Sequence, residues 1–490
     1  MKTPSLHRRA FAALVNWVGG YGSSYDSVNN TPHRAPARGA KPRDTKLDLT
    51  ESVRDEIVRR SRYIHRNSGF VREQQLSMQL YGVGNGIRPQ ARTLDGAWNK
   101  EAEQYFQRWG RKAEISGRFS WDEVQALVCR ALDRDGEIFV HKVKDNLGRP
   151  RLQLIPTHRI KTPPGNDVAM DGITTGPYGE PLLYHVAEDD GSFRDIPAAF
   201  ILHIFEPEDE SSLRFAPTAQ HSINHTLDEM DLLALEKHAA KDNADISKVL
   251  TKRNPDLNDE GDFQLGADGK PASSDATMLQ TILGGKVVTL EPGEDLKSFV
   301  SDRPSTTFTG FLEYLKRDSA LGHVPYEFAT DSSKIGGAGV RLVVTKAERR
   351  FAWRTKIIAE RLVRGVWEFV VGDAITKGLM SAIEDWNEIE FTTPRKVSVD
   401  AGREAQANRD DIVLGIKTLE DHFAEQGKDF ESEMLKRAHN ARRILDIAAE
   451  MQIPVEMLWN PGNGGPLPPQ MMEPPNAQDN PPTRDAVQPN

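Results

Sequence analysis

The chain has a single cysteine, Cys129, so no disulfide can form within it and its stability does not rest on an oxidising compartment. A zinc site built from several cysteines is excluded with it. No stretch approaches the ~20 consecutive apolar residues that a membrane-spanning helix needs. There is no Gly-x-x-x-x-Gly-Lys-Ser/Thr phosphate loop and no Gly-x-Ser-x-Gly elbow, which removes P-loop ATPases and the common serine hydrolases. Positive charge is in short supply: 63 Lys and Arg against 72 Asp and Glu leave a net charge of −9. A surface that wraps duplex nucleic acid relies on an excess of cations to displace counterions, so that class is disfavoured for the molecule as a whole.

What is present is long and unevenly charged. At roughly 150 residues per domain, 490 residues suggest about three domains. Residues 1–66 carry thirteen Lys and Arg against six Asp and Glu, whereas residues 201–250 carry four against ten. This regional asymmetry is more informative than the sum. Lys2, Arg8 and Arg9 ahead of Ala10–Val18 resemble a secretory leader, but the run is short, holds Asn16 and Trp17 and leads into Gly19-Gly20. We read it as a short amphipathic helix, with a signal peptide as the alternative. Gly19 to Arg43 and the thirty residues from Pro461 to Asn490, nine of them proline, are too polar and too rich in breakers to build a core; flexible ends are expected.

Between these ends the pattern predicts an α+β, mostly helical chain. Helices are expected over Leu49–Asn67, Val71–Tyr81 and Asn99–Trp109. Another runs from a Ser120/Glu123 capping box to Leu132. Strands follow at Ile138–Val143, Leu152–Ile155, Leu182–Val186 and Ile201–Phe205. Thr218–Leu250 lacks Pro and Gly and reads as one long helix or two stacked ones. Lys286–Leu290 reads as a strand, Phe308–Leu321 as a helix and His323–Gly339 as a loop. From Val340 to Val371 apolar residues recur every three or four positions, which predicts one continuous helix near 45 Å long at ~1.5 Å per residue. A β-like Glu388–Phe391 and a helical module, Asp400–Ala449, broken near Gly415 and Gly427, complete the ordered part.

Each candidate for chemistry has a plainer reading. Gly82-Val83-Gly84-Asn85-Gly86 lacks the preceding strand and following helix of a dinucleotide fingerprint. Asp133-Arg134-Asp135-Gly136-Glu137 has isoleucine and lysine where a calcium loop needs glycine and glutamate, and reads as a helix-to-strand turn. His203, His221, His225 and His238 form the nearest histidine grouping. His221 and His225 stand four apart on a helix but lack an obvious third metal ligand. Glu208-Asp209-Glu210 reads as an exposed acidic run. Arg341–Arg364, with eight Lys and Arg against Glu348 and Glu360, could touch phosphates or be a core helix with a salt-bridged face. No catalytic constellation, metal site or cofactor site emerges.

Several phrases in one order are similar to the lambda family of tailed-bacteriophage portal proteins. They are Arg60 to Asn67, Gly82 to Gln90, and Phe119–Leu132 leading into Asp135-Gly136-Glu137-Ile138-Phe139. Leu152-Gln153-Leu154-Ile155 follows, then Gly322 with Pro325-Tyr326-Glu327 ahead of a long helix. Last come Val399-Asp400 with Glu404-Ala405 and Gly415 to Leu419, although Arg403 stands where the family usually has lysine. The resemblance spans about residues 48–460. It implies a non-enzymatic ring, usually of twelve subunits, at the portal vertex of the virion capsid, made in the host cytoplasm. Double-stranded DNA passes through such a ring. Its implied partners are other copies of itself, the terminase large subunit, the major capsid protein, and head-completion or tail adaptor proteins, with no cofactor and no membrane.

Laid on the segments, the resemblance implies a basic arm 1–47, a wing 48–215, stem helices within 216–250 and 304–322, and a clip 251–303. A tunnel loop 323–340, the long helix and wing return 341–399, a crown 400–460 and a Pro-rich tail 461–490 follow. It places Lys334, Gly336, Gly337 and Arg341 as DNA-channel candidates, with the acidic region 217–250 as a low-friction lining. Another minor capsid structural protein or a DNA-processing enzyme are the alternatives.

Overall fold

The computed structural model describes residues 44–251, 286–290, 306–397, 401–426, 428 and 430–458. The expected Ala10–Val18 helix, nearly all of the arm, most of the clip and the Pro-rich tail lie outside them. The chain divides into two compact units, with the break between Val399 and Asp400.

The first unit opens with helices α1 (Glu51–Asn67) and α2 (Gly69–Gly82), hinged at Ser68, whose hydroxyl accepts from the Val71 amide. Strand β1 (Arg88–Ala91) follows, then α3 (Gly96–Gly110) and α4 (Trp121–Asp135). Both partners of the Ser120/Glu123 capping box are in place at the start of α4. Gly136 ends that helix at φ 84°, and a Cβ there would lie 2.2 Å from the Ala216 carbonyl carbon. Only glycine fits both the left-handed backbone and the contact.

Strands β2 (Glu137–Lys144) and β3 (Pro150–Ile155) form the expected hairpin, and β7 (Ile201–Phe205) flanks β2 on its other edge, all antiparallel. Strands β4 (Ile173–Thr175), β5 (Pro181–Ala187) and β6 (Phe193–Pro197) make a second antiparallel sheet. Phe139, Ile160, Tyr184 and Val186 form a small core shared by the two sheets. Strands β1, β4 and β6 lie outside the strands expected from the sequence. Pro89 demotes the first as a strand, and β4 has only three residues.

Helix α5 (Ile223–Asp245) is shorter than expected, because the chain turns into strand β8 (Ile246–Thr251), paired parallel with β9 (Lys286–Leu290). Ile246, Val249 and Thr251 are β-branched, and their strand preference takes over where the run was read as helix. Helix α6 (Thr306–Ser319) packs on α5, with Lys316 3.3 Å from Glu229 and His225 3.7 Å from Asp318.

The long helix runs as α7 (Gly337–Ile358), a π-helical turn at Ala359–Val363, and α8 (Arg364–Thr376). Ala347, Phe351, Thr355, Ile358, Leu362 and Val366 from the expected stripe are all buried. All but Thr355 form the spine of the main core with Trp98, Phe106, Trp109, Trp121 and the fully buried Trp367. Gly365 admits β7: a Cβ there would sit 2.6 Å from Leu202 Cδ2. Strand β10 (Ile389–Thr392) then pairs antiparallel with β1, joining segments 300 residues apart in sequence.

The second unit contains α9 (Ala401–Val413), α10 (Leu419–Glu425) and α11 (Phe430–Met451). Gly415, at φ 71°, breaks the first from the second, and a Thr418/Asp421 capping box opens α10. Phe423 is buried against Phe430, with the Arg437 guanidinium over its ring.

Candidate functional site

The segment joining α6 to α7 is pinned at its base and open at its tip. Gly322, at φ 76°, turns the chain out of α6. His323 is buried, with Nε2 3.2 Å from Asp133 Oδ1, and the fully buried Val324 accepts a hydrogen bond from Gln74 Nε2 at 3.2 Å. Pro325 starts a single helical turn, Tyr326–Ala329, inside the expected loop. Phe328 of that turn packs against Tyr81 and Phe351 with ring centroids 5.3 and 5.4 Å away. Arg317 of α6 closes the base by donating to Glu313 at 3.0 Å, pairing with Glu327 and lying 4.7 Å over the Tyr326 ring.

Beyond this base, Asp331 to Gly336 stand at the surface, apart from a half-buried Ile335. Asp331 accepts from the Ser333 amide at 2.8 Å and its hydroxyl at 2.9 Å, which shapes the tip. Lys334 is exposed within electrostatic reach of two carboxylates. Arg317 first and Lys334 second hold Glu313 below its ordinary value; Ser333 first, and then Lys334, do the same for Asp331. The lysine's charge is therefore partly balanced by its own subunit.

Gly336 is the N-cap of α7 with φ −67° and ψ 162°, and no side chain caps the helix. Gly337 is already helical, so Gly337, Gly339 and Arg341 belong to the helix and not to the loop. A polar tip followed by Ala338, Val340 and Leu342 lets the helix begin at the glycine pair, which serves as a tolerated cap. Neither Gly336 nor Gly337 has a positive φ or a close neighbour, so nothing within the subunit requires glycine at either position. The four channel candidates are thus contiguous: Lys334 on the tip, Gly336 and Gly337 at the helix start, and Arg341 exposed one turn in. No acidic residue stands in the first turn of α7, so its free amides and Arg341 add positive potential there, while Asp331 and Glu313 offset the Lys334 charge at the tip.

Other candidates resolve as structure. Gly86, at φ 97°, lies where a Cβ would meet Asp122 Oδ1 at 2.4 Å, and the next residue, Ile87, donates its amide to Gln125 Oε1 at 2.9 Å. The glycine run is a packed turn into β1. His203 is stacked on Phe139 with Nε2 2.8 Å from Glu137 Oε2. Among the described residues no group of three or more His, Cys, Asp or Glu is placed to hold a metal ion. In the acidic run, Asp209 accepts from the Ser211 amide and from the Thr45 hydroxyl, and so ties Thr45 to the 209–211 loop.

A buried ionic network that was not among the sequence expectations lies at the same base. The three carboxylates of the Asp133–Glu137 turn face inward. Asp133 meets Arg354 at 2.9 Å, Asp135 meets Arg62 at 2.8 Å, and Glu137 accepts from Arg214 Nε at 2.7 Å. Arg214 and Arg54 both bind Asp171, and Arg354 and Arg350 both bind Glu206. Burial alone would raise the Asp133 carboxyl, but Arg354 and His323 more than offset it and hold it down to about 2. Glu137 is lowered in the same way by Arg214 and His203 against the effect of burial. Of the eight cations in Arg341–Arg364, Arg350 and Arg354 are therefore structural, Arg361 lies 3.8 Å over Phe205, and Arg364 bonds Glu360. Arg341, Lys346, Arg349 and Lys356 remain exposed. The one sequence sign of the inward pair is that Arg350 and Arg354 flank Phe351 on the apolar side of the helix.

Among solved structures, the chain is similar to one titled the neck of a native gene transfer agent particle computed with C12 symmetry. The identity is 14%, covering 75% of this chain and 92% of that chain, at a TM-score of 0.43. It is also similar to the neck of the empty particle computed with C6 symmetry, at 14% identity over 73% and 89% of the two chains and a TM-score of 0.42. A third similar structure is the virion of the native gene transfer agent particle, at 14% identity over 78% and 91% and a TM-score of 0.39. The model of the phage portal proteins of the lambda family matches residues 33–354, more than half of the sequence, and the chain belongs to that family.

Proposed function

We propose that this portal protein forms a ring, of twelve subunits as is usual in its family, at one vertex of the virion capsid. There it is the conduit for double-stranded DNA during packaging and ejection. As a portal protein it is a structural protein and not an enzyme. In this reading the helices of 216–250 and 304–322 are the stem, 251–303 the clip, 48–215 with the long helix the wing, and 400–460 the crown. The terminase large subunit docks on the ring during packaging, head-completion or tail adaptor proteins dock afterwards, and the major capsid protein surrounds it.

The observation that carries the reading is the α6–α7 junction: a short polar tip with one exposed lysine, on a base held by Arg317, His323 and Phe328. Repeated once per subunit around a channel, Lys334 and Arg341 form sparse rings of charge. They touch phosphates briefly without the dense cationic contact that traps a duplex. The overall net charge of −9 suits a pore through which DNA slides.

The test is packaging by particles carrying Lys334→Ala. Rings should assemble normally, while the amount or retention of packaged DNA falls. Normal packaging and retention of full-length DNA would remove the loop from the channel.

A further inference from the structure

Two exposed helical stripes in the first unit complement each other. On α7, Leu342, Lys346, Arg349 and Trp353 are all exposed and follow one another at intervals of four, three and four. Leu342 is 58% exposed and Trp353 41%. On α5, Asp228, Asp231 and Leu235 are exposed at intervals of three and four, Leu235 at 66%. Alternating threes and fours is the spacing of a seam along which one helix lies on another. One stripe is apolar at both ends with two cations between; the other has two carboxylates followed by an apolar residue. None of the four charged residues makes an ion pair among the described residues.

We infer that these stripes are the two halves of a subunit boundary: α7 of one copy lies along α5 of the next. The inference rests on the ring reading above and names the surfaces that would build the ring. A closed ring needs two different, mutually complementary faces on every chain, and these two supply them. Lys346 and Arg349 would meet Asp228 and Asp231, while Trp353 or Leu342 would cover Leu235. Large apolar and aromatic side chains beside arginine are the composition of interface centres. A stripe that served only to contact DNA would gain nothing from an exposed leucine and tryptophan. A bare channel lining would likewise gain nothing from Leu235 in water. This moves the exposed charge of α5 from the channel wall, where the sequence reading put it, to the boundary between copies.

The test uses the full chain in three variants: Lys346→Glu with Arg349→Glu, Asp228→Lys with Asp231→Lys, and all four changes together. Assembly is followed by native mass spectrometry over a range of concentrations, with thermal melting to establish that each variant is folded. Each reversed pair places like charges opposite each other and should raise the concentration needed for assembly about tenfold or more. The fourfold variant, with its charges exchanged, should assemble close to wild type. Rings that form at unchanged concentration in either reversed variant overturn the inference, as does a folded fourfold variant that stays dissociated. Rings of the Lys346→Glu, Arg349→Glu variant that assemble normally but lose DNA would assign the α7 stripe to DNA. A wild-type chain that forms no ring removes the ring reading itself.

Discussion

The guanidinium of Arg354, midway along the long helix, lies 2.9 Å from the Asp133 carboxylate at the end of α4, and both side chains are buried. His323 reaches the same carboxylate from the foot of the α6–α7 junction. One buried anion thus ties together α4, the long helix and the segment that carries Lys334. Arg354 also bonds Glu206, just beyond β7, which extends the tie to the strand that packs against Gly365.

Removing one partner of such a pair leaves the other charged in an apolar interior. Arg354→Met should cost about 3–5 kcal/mol in urea unfolding, and Asp133→Asn should also be strongly destabilising. The double replacement should cost less than the sum, because no unpaired charge is left between them. A loss below ~1 kcal/mol in Arg354→Met would mean that the network contributes little.

The same group sets a pH dependence. Asp133 is depressed to about 2 in the folded chain, against ~3.9 for an unperturbed aspartate. Its contribution is therefore fully present above the unfolded value and is lost as pH falls through the folded one. Stability should drop steeply between about pH 4 and pH 2, by roughly 2 kcal/mol from this residue. Asp133→Asn should flatten that part of the curve in urea titrations at stepped pH. An unchanged slope would contradict the assignment.

Gly136 and Gly148 make a matched comparison. Both have positive φ, 84° and 72°, but a Cβ at Gly136 would collide with the Ala216 backbone whereas one at Gly148 meets nothing. Gly148→Ala should cost about 1–2 kcal/mol, for the left-handed backbone alone. Gly136→Ala should cost clearly more, because the 214–216 segment must move away and disturb Arg214 against Glu137. Equal melting temperatures for the two variants would show that the segment yields freely.

The sequence made most of the first unit legible through local signals. The Ser120/Glu123 box, the spacing of Phe351, Ile358, Leu362 and Val366, and the turn at Asp145–Gly148 each act within a few residues. Two of the omitted strands depend on distant partners. Strand β1 exists because β10 pairs with it from far along the chain, and β8 because β9 does. Asp133, Asp135 and Glu137 read only as a helix-to-strand turn because the arginines that pair with them come from α1, from residue 214 and from the long helix. At the α6–α7 junction Lys334, Gly336, Gly337 and Arg341 lie in one continuous segment, and the helix begins earlier than the glycine content suggests.

Because Gly336 caps α7 with an ordinary extended backbone and open space around it, Gly336→Ser should change the stability of the subunit by no more than ~0.5 kcal/mol. A melting-point loss equivalent to more than ~1 kcal/mol would mean that glycine is needed within the subunit itself.

We propose that this chain rings a channel with residues 331–336 of each subunit at its narrowest point. The most direct measurement is cryo-electron microscopy of the purified full-length protein. The expected result is a closed ring with a central opening, the α6–α7 tips converging on the axis and Lys334 facing it. A monomer or closed dimer, or a ring that carries these tips on its outer rim, would contradict it.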